Sequence, residues 1–435
     1  MIYPKILIVG QTFNKRTGGG ITMTNLFAGW PKERLAVASN ENLRADIDSS
    51  VCRILYQLGY NGKLHPFPLN IILPKIQCGL VDIPDTMAKG NSHMPALSGK
   101  YTGIYEILRS LLHFFGLYNV LYKLRMTPEF SAWLKEYNPD IIYSQLSTLE
   151  LIRFVNDIHE LIGKPVAIHM MDDWPMTIAR SGPMSYYWKK TIDREFRSLV
   201  NKSAILLSIS QEMSDEYMKR YGREFKAFHN PIDIVFWKSH QRKTYVLRND
   251  PTVLYAGRIG TGIQQSLETT AMAIDEVNKE LGISIQFVVQ TESSPAWIGK
   301  YSCACHRPQV PYSELPKIFS DADILVLPYD FSPESVRFIQ FSMPTKAPEY
   351  MVSGTPVIVW APAETAIVKN AIRNKWAKTV TDNSIEKLSA AISELILHRE
   401  EREITAKNAI AFSENNFNAE KVRASFQRAF AELNN

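Results

Sequence analysis

Cysteine is scarce. The 435 residues hold four: Cys52, Cys78, Cys303 and Cys305. Four scattered thiols cannot build the disulfide frame of a small secreted domain. Cys303, Cys305 and His306 look like half of a zinc site, but no second pair follows at ligand spacing. Reduced, unligated thiols are expected, which suits a cytoplasm. No apolar run is long enough to span a bilayer. The first apolar run stops at Gly10, too soon for a secretory leader, and reads as a buried strand. Charge of one sign is in small excess only, with a formal net charge of +5. That surplus suits an anionic substrate or membrane surface and does not call for nucleic acid.

What is present is a chain of two or three domains' length, with strands and helices in alternation. A strand over Lys5–Gly10 runs into a loop ending in Gly18, Gly19 and Gly20, and a helix is expected from about Ile21 to Gly29. The glycines allow close backbone approach, and the helix start offers N–H groups to a phosphate. The loop has neither the G-x-G-x-x-G spacing nor the Gly-Lys-Ser/Thr ending of the two commonest phosphate loops. A second strand covers Leu35–Ser39. Residues 45–130 fit no template, and Pro66, Pro68, Pro74, Pro84 and Pro95 break them, so an irregular insertion is expected. Within it Ile104–Leu124 is helical and aromatic. It reads as a core helix, with an interfacial helix resting on an anionic membrane as the rival. Strands follow at Pro139–Ser144 and Pro165–His169. The second ends on His169, with Asp172 and Asp173 close behind. Asn230-Pro231 reads as the start of a hinge.

A basic linker over 232–250 leads to a new first strand, Thr252–Ala256, followed by Gly257, Arg258 and Gly260. A helix is expected over Ser266–Leu281 and a strand over Ile283–Val289. Asp321-Ala322-Asp323 has the look of a metal motif, but its place at a helix end before the strand Ile324–Pro328 argues against that. A short helix from Lys346 to Ser353 is stopped by Gly354 and followed by a strand at Val357–Val359. Lys346 and Glu349 stand one turn apart on that helix and share a face.

The run from Pro344 to Ile358, Pro-Thr-Lys-x-x-Glu-Tyr-x-x-x-Gly-Thr-Pro-Val-Ile, resembles the donor-sugar signature of GT-B glycosyltransferases, the retaining family 4 above all. The resemblance implies an α/β fold of two Rossmann-like, doubly wound domains facing across a cleft. The first would cover 1–231 and bind an acceptor. The second would cover 251–415 and bind a nucleotide sugar, with a last helix over 416–435 crossing back to the first domain. It implies that Glu349 binds the donor ribose and that Arg258 and Lys346 hold the diphosphate. Gly18, Gly19, Gly20 and Gly260 would line the donor site, and Val310 would meet the nucleobase. His169, with Asp172 or Asp173, would reach the sugar.

Two departures from the family pattern stand out. A second cation expected soon after Arg258 is replaced by Ile263, Gln264 and Gln265. A Glu expected eight residues before Glu349 is replaced by Phe341. The implied reaction is retaining glycosyl transfer without metal or cofactor, to a carbohydrate or lipid-linked glycan acceptor. The implied setting is cytoplasmic or at the inner membrane face. The rivals are a nucleotide-sugar epimerase of the same fold and a catalytically silent scaffold.

Overall fold

The computed structural model describes residues 3–15, 17–40, 43, 47–59, 78–81, 110–112, 114–117, 123–177, 182–260 and 262–434. It divides into two compact units, Met1–Phe228 with Arg423–Asn435, and His229–Val422. Each unit is a mixed α/β body built on one largely parallel sheet.

The first sheet holds β1 (Ile6–Val9), β2 (Leu35–Ser39), β3 (Ile54–Gln57), β4 (Gly79–Val81), β5 (Ile141–Ser144), β6 (Val166–Met170), β7 (Ile205–Ser208) and β8 (Lys226–Ala227). Their order is β4-β3-β2-β1-β5-β6-β7-β8. Every pair is parallel except β3 with β4. Strands β1, β2, β5, β6 and β7 are buried along their length, because helices cover both faces of a parallel sheet. Polar residues mark the helix starts. The hydroxyls of Thr148 and Ser210 accept from Leu151 N and Met213 N, each filling one orphan donor of a first turn. Within this unit Phe426 and Phe430 of the C-terminal segment pack on Phe27, with ring centres 5.1 and 6.2 Å apart.

The second sheet holds β9 (Thr252–Ala256), β10 (Gln286–Gln290), β11 (Ala304–Arg307), β12 (Ile324–Pro328), β13 (Val357–Trp360) and β14 (Lys378–Val380). All pairs are parallel, in the order β11-β10-β9-β12-β13-β14. In both sheets the winding reverses beside the first strand, between β1 and β5 and between β9 and β12. Doubly wound sheets bind ligands at the carboxyl ends of the strands at such a reversal. The loop after β9 carries Gly257, Gly260 and Gly262, and the helix that follows β1 opens on Gly18, Gly19 and Gly20.

Two sequence expectations are corrected here. Gly18, Gly19 and Gly20 are not a loop: they form the first turn of the helix Gly18–Phe27, which ends before Gly29. Thr17 caps it, accepting from Gly20 N at 3.1 Å. The glycines are needed for space, since a Cβ on Gly19 would lie 2.7 Å from Gln145 Oε1 and one on Gly20 would overlap Asn14. The helix after β9 also begins earlier than expected, spanning Gln264–Leu281. Most of the expected irregular insertion and of the aromatic helix, including Tyr105, Tyr118 and Tyr122, lies outside the described residues.

Candidate functional site

The second unit concentrates chemistry at the carboxyl end of β9. Two tyrosines shape the turn there. The Tyr255 hydroxyl donates to Arg258 O at 2.6 Å. The Tyr350 hydroxyl accepts from Ala256 N at 2.8 Å and donates to Ala256 O at 3.2 Å. Between these anchors Gly257 takes φ +154°, and a Cβ there would collide with Lys346 Nζ. Glycine at this position is what lets the ammonium reach the strand end. Lys346 Nζ donates to Ala256 O at 3.1 Å and lies 3.8 Å from the centre of the Tyr255 ring, a cation–π geometry. Arg258 is exposed, its guanidinium 6.0 Å from the Phe338 ring centre, and it makes no ion pair among the described residues.

Lys346 and Glu349 come from the segment opening the helix Ala347–Ser353. Pro348 sits in its first turn and Gly354 ends it at φ +76°. A Cβ on Gly354 would press on Arg242 O and Ile410 at 3.2 Å, so both conformation and space require glycine. Every residue of the helix is buried. Burial, then the nearby Arg258, lowers the Lys346 ammonium to about 7, against the pull of Glu349. Burial likewise raises the Glu349 carboxyl to about 7, opposed by the Tyr312 hydroxyl and Lys346. The ligand-free site therefore holds two mutually repelling cations and one desolvated carboxyl. An anion placed against Arg258 and Lys346 would relieve that repulsion.

A cavity of about 400 Å³ opens beside the same loop, lined by Gly260, Gly262, Gln264, Gln265, Trp297 and Asp330 among others. Asp330, from the turn after β12, takes Gly262 O with its own N–H at 2.8 Å. Its Oδ1 accepts from Ser266 N at 2.8 Å and Ser266 Oγ at 2.9 Å. This carboxylate caps the helix Gln264–Leu281 from a distant part of the chain, which no local sequence pattern reveals. Of the expected residues, then, Arg258, Gly260, Lys346 and Glu349 gather around the loop after β9. Val310 follows β11, two residues before Tyr312, whose ring stacks on Phe236 at 5.6 Å.

Asp323 has a structural partner set. Its carboxylate is fully buried, accepting from Arg242 at 2.9 Å and from Thr252 N at 2.9 Å.

In the first unit His169 lies inside β6, fully buried, with Nδ1 2.8 Å from the Tyr143 hydroxyl. Burial lowers its imidazole to about 4, so it is neutral near pH 7. Gln145 Nε2 lies 3.4 Å from that hydroxyl and donates to Gly19 O at 3.3 Å. The glycine helix start and His169 are thus joined through Gln145 and Tyr143, two residues sequence reasoning missed. Asp173 is buried and held by Arg220 at 2.8 Å and by the Tyr217 hydroxyl at 3.0 Å. Asp172 is half-buried in the turn after β6.

Residues 250–398 match the family described as Glycosyl transferases group 1. The chain is a glycosyltransferase. The match covers the sheet, the loop and the Lys346–Glu349 helix described above. No curated protein matches the chain by sequence. Solved structures do match in fold over nearly the whole length of this glycosyltransferase. The sucrose-phosphate synthase of Thermosynechococcus elongatus aligns with TM-score 0.63 and 14% identity, covering 98% of each chain. HepE of Anabaena, in complex with UDP and glucose, aligns with TM-score 0.62 and 12% identity over 99% of this chain and 100% of that one. The UDP-forming α,α-trehalose-phosphate synthase of Burkholderia xenovorans gives TM-score 0.60 and 12% identity over 99% and 100%. At such identities the likeness establishes the GT-B fold.

Proposed function

We propose that this glycosyltransferase moves a sugar from a nucleoside diphosphate donor to a carbohydrate or lipid-linked glycan acceptor, with retention. Arg258 and Lys346 hold the diphosphate, Glu349 takes the ribose hydroxyls, and Gly260 and Val310 line the donor. The first unit takes the acceptor; its Gly18, Gly19 and Gly20 line the donor, and His169, with Asp172 or Asp173, reaches the sugar. The approach of Lys346 to the loop that holds Arg258 carries this reading: the two cations repel each other, and neither makes an ion pair among the described residues. The C1–O bond to the diphosphate breaks, a C1–O bond to the acceptor hydroxyl forms, and that hydroxyl gives up its proton. Negative charge builds on the departing phosphate, where fixed cations act without reorganising. Their charge serves the role a divalent ion would otherwise fill, and activity is expected to survive chelation.

Solved structures of HepE with UDP and with UDP-glucose support a uridine diphosphate sugar as the first donor to test. The test is turnover of that donor by wild type and by Arg258→Ala. A hydrogen bond between charged groups is worth about 1.5–3 kcal/mol, so kcat/KM is expected to fall by roughly 10- to 150-fold. Unchanged turnover in the variant would overturn the assignment.

No helix among the described residues is long and apolar enough to cross a membrane. A cytoplasmic setting with peripheral contact to an anionic membrane belongs to the same proposal. Exposed Phe114, Phe115, Tyr186 and Tyr187, with exposed Lys189 and Lys190 just beyond the buried Trp188, support it. Flotation with anionic liposomes tests the contact, and protein left wholly unbound at low salt would refute it.

A further inference from the structure

Lys346 stands at the N-cap of the helix Ala347–Ser353 without capping it. Its side chain goes to the Ala256 carbonyl instead. The segment that leads into it, 343–346, is held carbonyl by carbonyl. Pro344 O accepts from Ala347 N at 3.0 Å, and Lys346 O accepts from Tyr350 N at 2.9 Å. The other two carbonyls take side chains from the two residues that open the second unit. His229 Nε2 donates to Met343 O at 3.2 Å, and Asn230 Nδ2 donates to Thr345 O at 3.2 Å. A carbonyl oxygen can only accept, so the imidazole carries a proton on Nε2 and the amide turns its nitrogen to the loop.

Both donors are buried and anchored. The His229 ring packs on Phe417, with centres 5.1 Å apart. Two residues after Asn230, Ile232 N donates to Phe417 O at 2.8 Å and Ile232 O accepts from Ala419 N at 2.9 Å. The segment is thus tied down independently of the loop it holds. On the loop side, Thr345 O and Lys346 N belong to one planar peptide. Holding that oxygen sets the direction in which Lys346 leaves the chain. The ammonium has little room to shift: it lies 3.8 Å from the Tyr255 ring centre and would collide with a Cβ on Gly257.

We propose that Asn230 and His229 are positioning residues for Lys346: by holding the Thr345 and Met343 carbonyls they set the peptide from which the ammonium reaches the donor diphosphate. This rests on the diphosphate role proposed for Lys346 and adds the groups that aim it. Each acts through the backbone and not on the donor itself. A carbonyl left without its donor turns toward water, and the peptide that carries Lys346 turns with it.

The test is a double-mutant cycle read as dissociation constants with ligand in excess, so that loss of folded protein lowers the amplitude and not the midpoint. The probe is whichever of UDP, GDP and ADP wild type binds most tightly. Lys346→Met is expected to weaken binding by about tenfold or more, the value of a hydrogen bond to a charged group. Asn230→Ala is expected to weaken it by about three- to tenfold, the value of an ordinary hydrogen bond. In the Lys346→Met background Asn230→Ala should cost less than about twofold, because no ammonium is left to aim. His229→Leu should behave as Asn230→Ala does. His229→Gln, whose amide nitrogen can replace the ring N–H, should bind within about twofold of wild type. Wild-type affinity in Asn230→Ala, or the same loss with and without Lys346, overturns the positioning role alone. His229→Gln no better than His229→Leu overturns the part given to His229. Wild-type affinity in Lys346→Met, or no nucleotide bound by wild type, overturns the diphosphate role beneath it, and the positioning role with it.

Discussion

The ammonium of Lys346 lies 3.8 Å from the centre of the Tyr255 ring and 3.1 Å from the Ala256 carbonyl oxygen. That placement gives a half-buried cation an aromatic face and one acceptor, but no carboxylate within ion-pair distance among the described residues. Burial, then the charge of Arg258, brings its ordinary pKa of 10.5 down to about 7 against the pull of Glu349.

Binding should therefore depend on pH from both sides. Lys346 loses its charge as pH rises above about 7, and a diphosphate needs that charge, so donor affinity falls on the alkaline side. Glu349 gains a proton as pH drops below about 7, and a ribose hydroxyl needs the carboxylate, so affinity falls on the acid side. The profile of kcat/KM for the donor is expected to be a narrow bell centred near 7. Rates measured across the neutral range check this, and a flat profile would contradict it.

Stability should run against function at the same residue. Between about 7 and 10.5 the unfolded chain keeps the Lys346 proton and the fold releases it. Protons are then bound more by the unfolded state, so stability rises with pH in that window. At neutral pH and below, the buried charge costs the fold. Lys346→Met removes the charge and keeps an unbranched side chain. Its ligand-free melting temperature is expected to be higher than wild type, while the upward shift caused by donor is lost. Melting curves with and without UDP-sugar read both. A variant that melts lower and still responds to donor would contradict the assignment.

Asp323 should behave as a structural anion. Its fully buried carboxylate meets Arg242 at 2.9 Å and the Thr252 amide at 2.9 Å. Removing one partner of a buried pair leaves the other charge uncompensated and costs about 3–5 kcal/mol. Asp323→Asn is expected to lose stability on that scale in chemical denaturation, with no change in donor KM for the protein that remains folded. A stable variant with a weakened donor KM would point instead to a ligand role.

The second half was the more legible from sequence. Gly354 announced a helix end because a positive φ and a tight neighbour both demand glycine, and β12 and β13 read as buried runs because both sheet faces are covered. Lys346 and Glu349 could be paired from spacing alone. Asp330, Tyr312 and Gln145 could not. Each acts on a residue far away in the chain, Asp330 on Ser266 and Gln145 on Gly19, and no local periodicity encodes such a partner. The three glycines after β1 were misread for a related reason. Glycine suggests a loop, but here it clears room for Asn14 and Gln145 inside a helical turn. His169 looked like a strand-end ligand, and its burial beside Tyr143 became visible only once β5 and β6 were paired.

The central claim is that Arg258 and Lys346 grip a diphosphate while Glu349 holds the ribose. A crystal structure with UDP bound tests it most directly. The account predicts phosphate oxygens within hydrogen-bond distance of both cations and a ribose hydroxyl on the Glu349 carboxylate. Nucleotide bound elsewhere, or no nucleotide at this loop at saturating concentration, would contradict it.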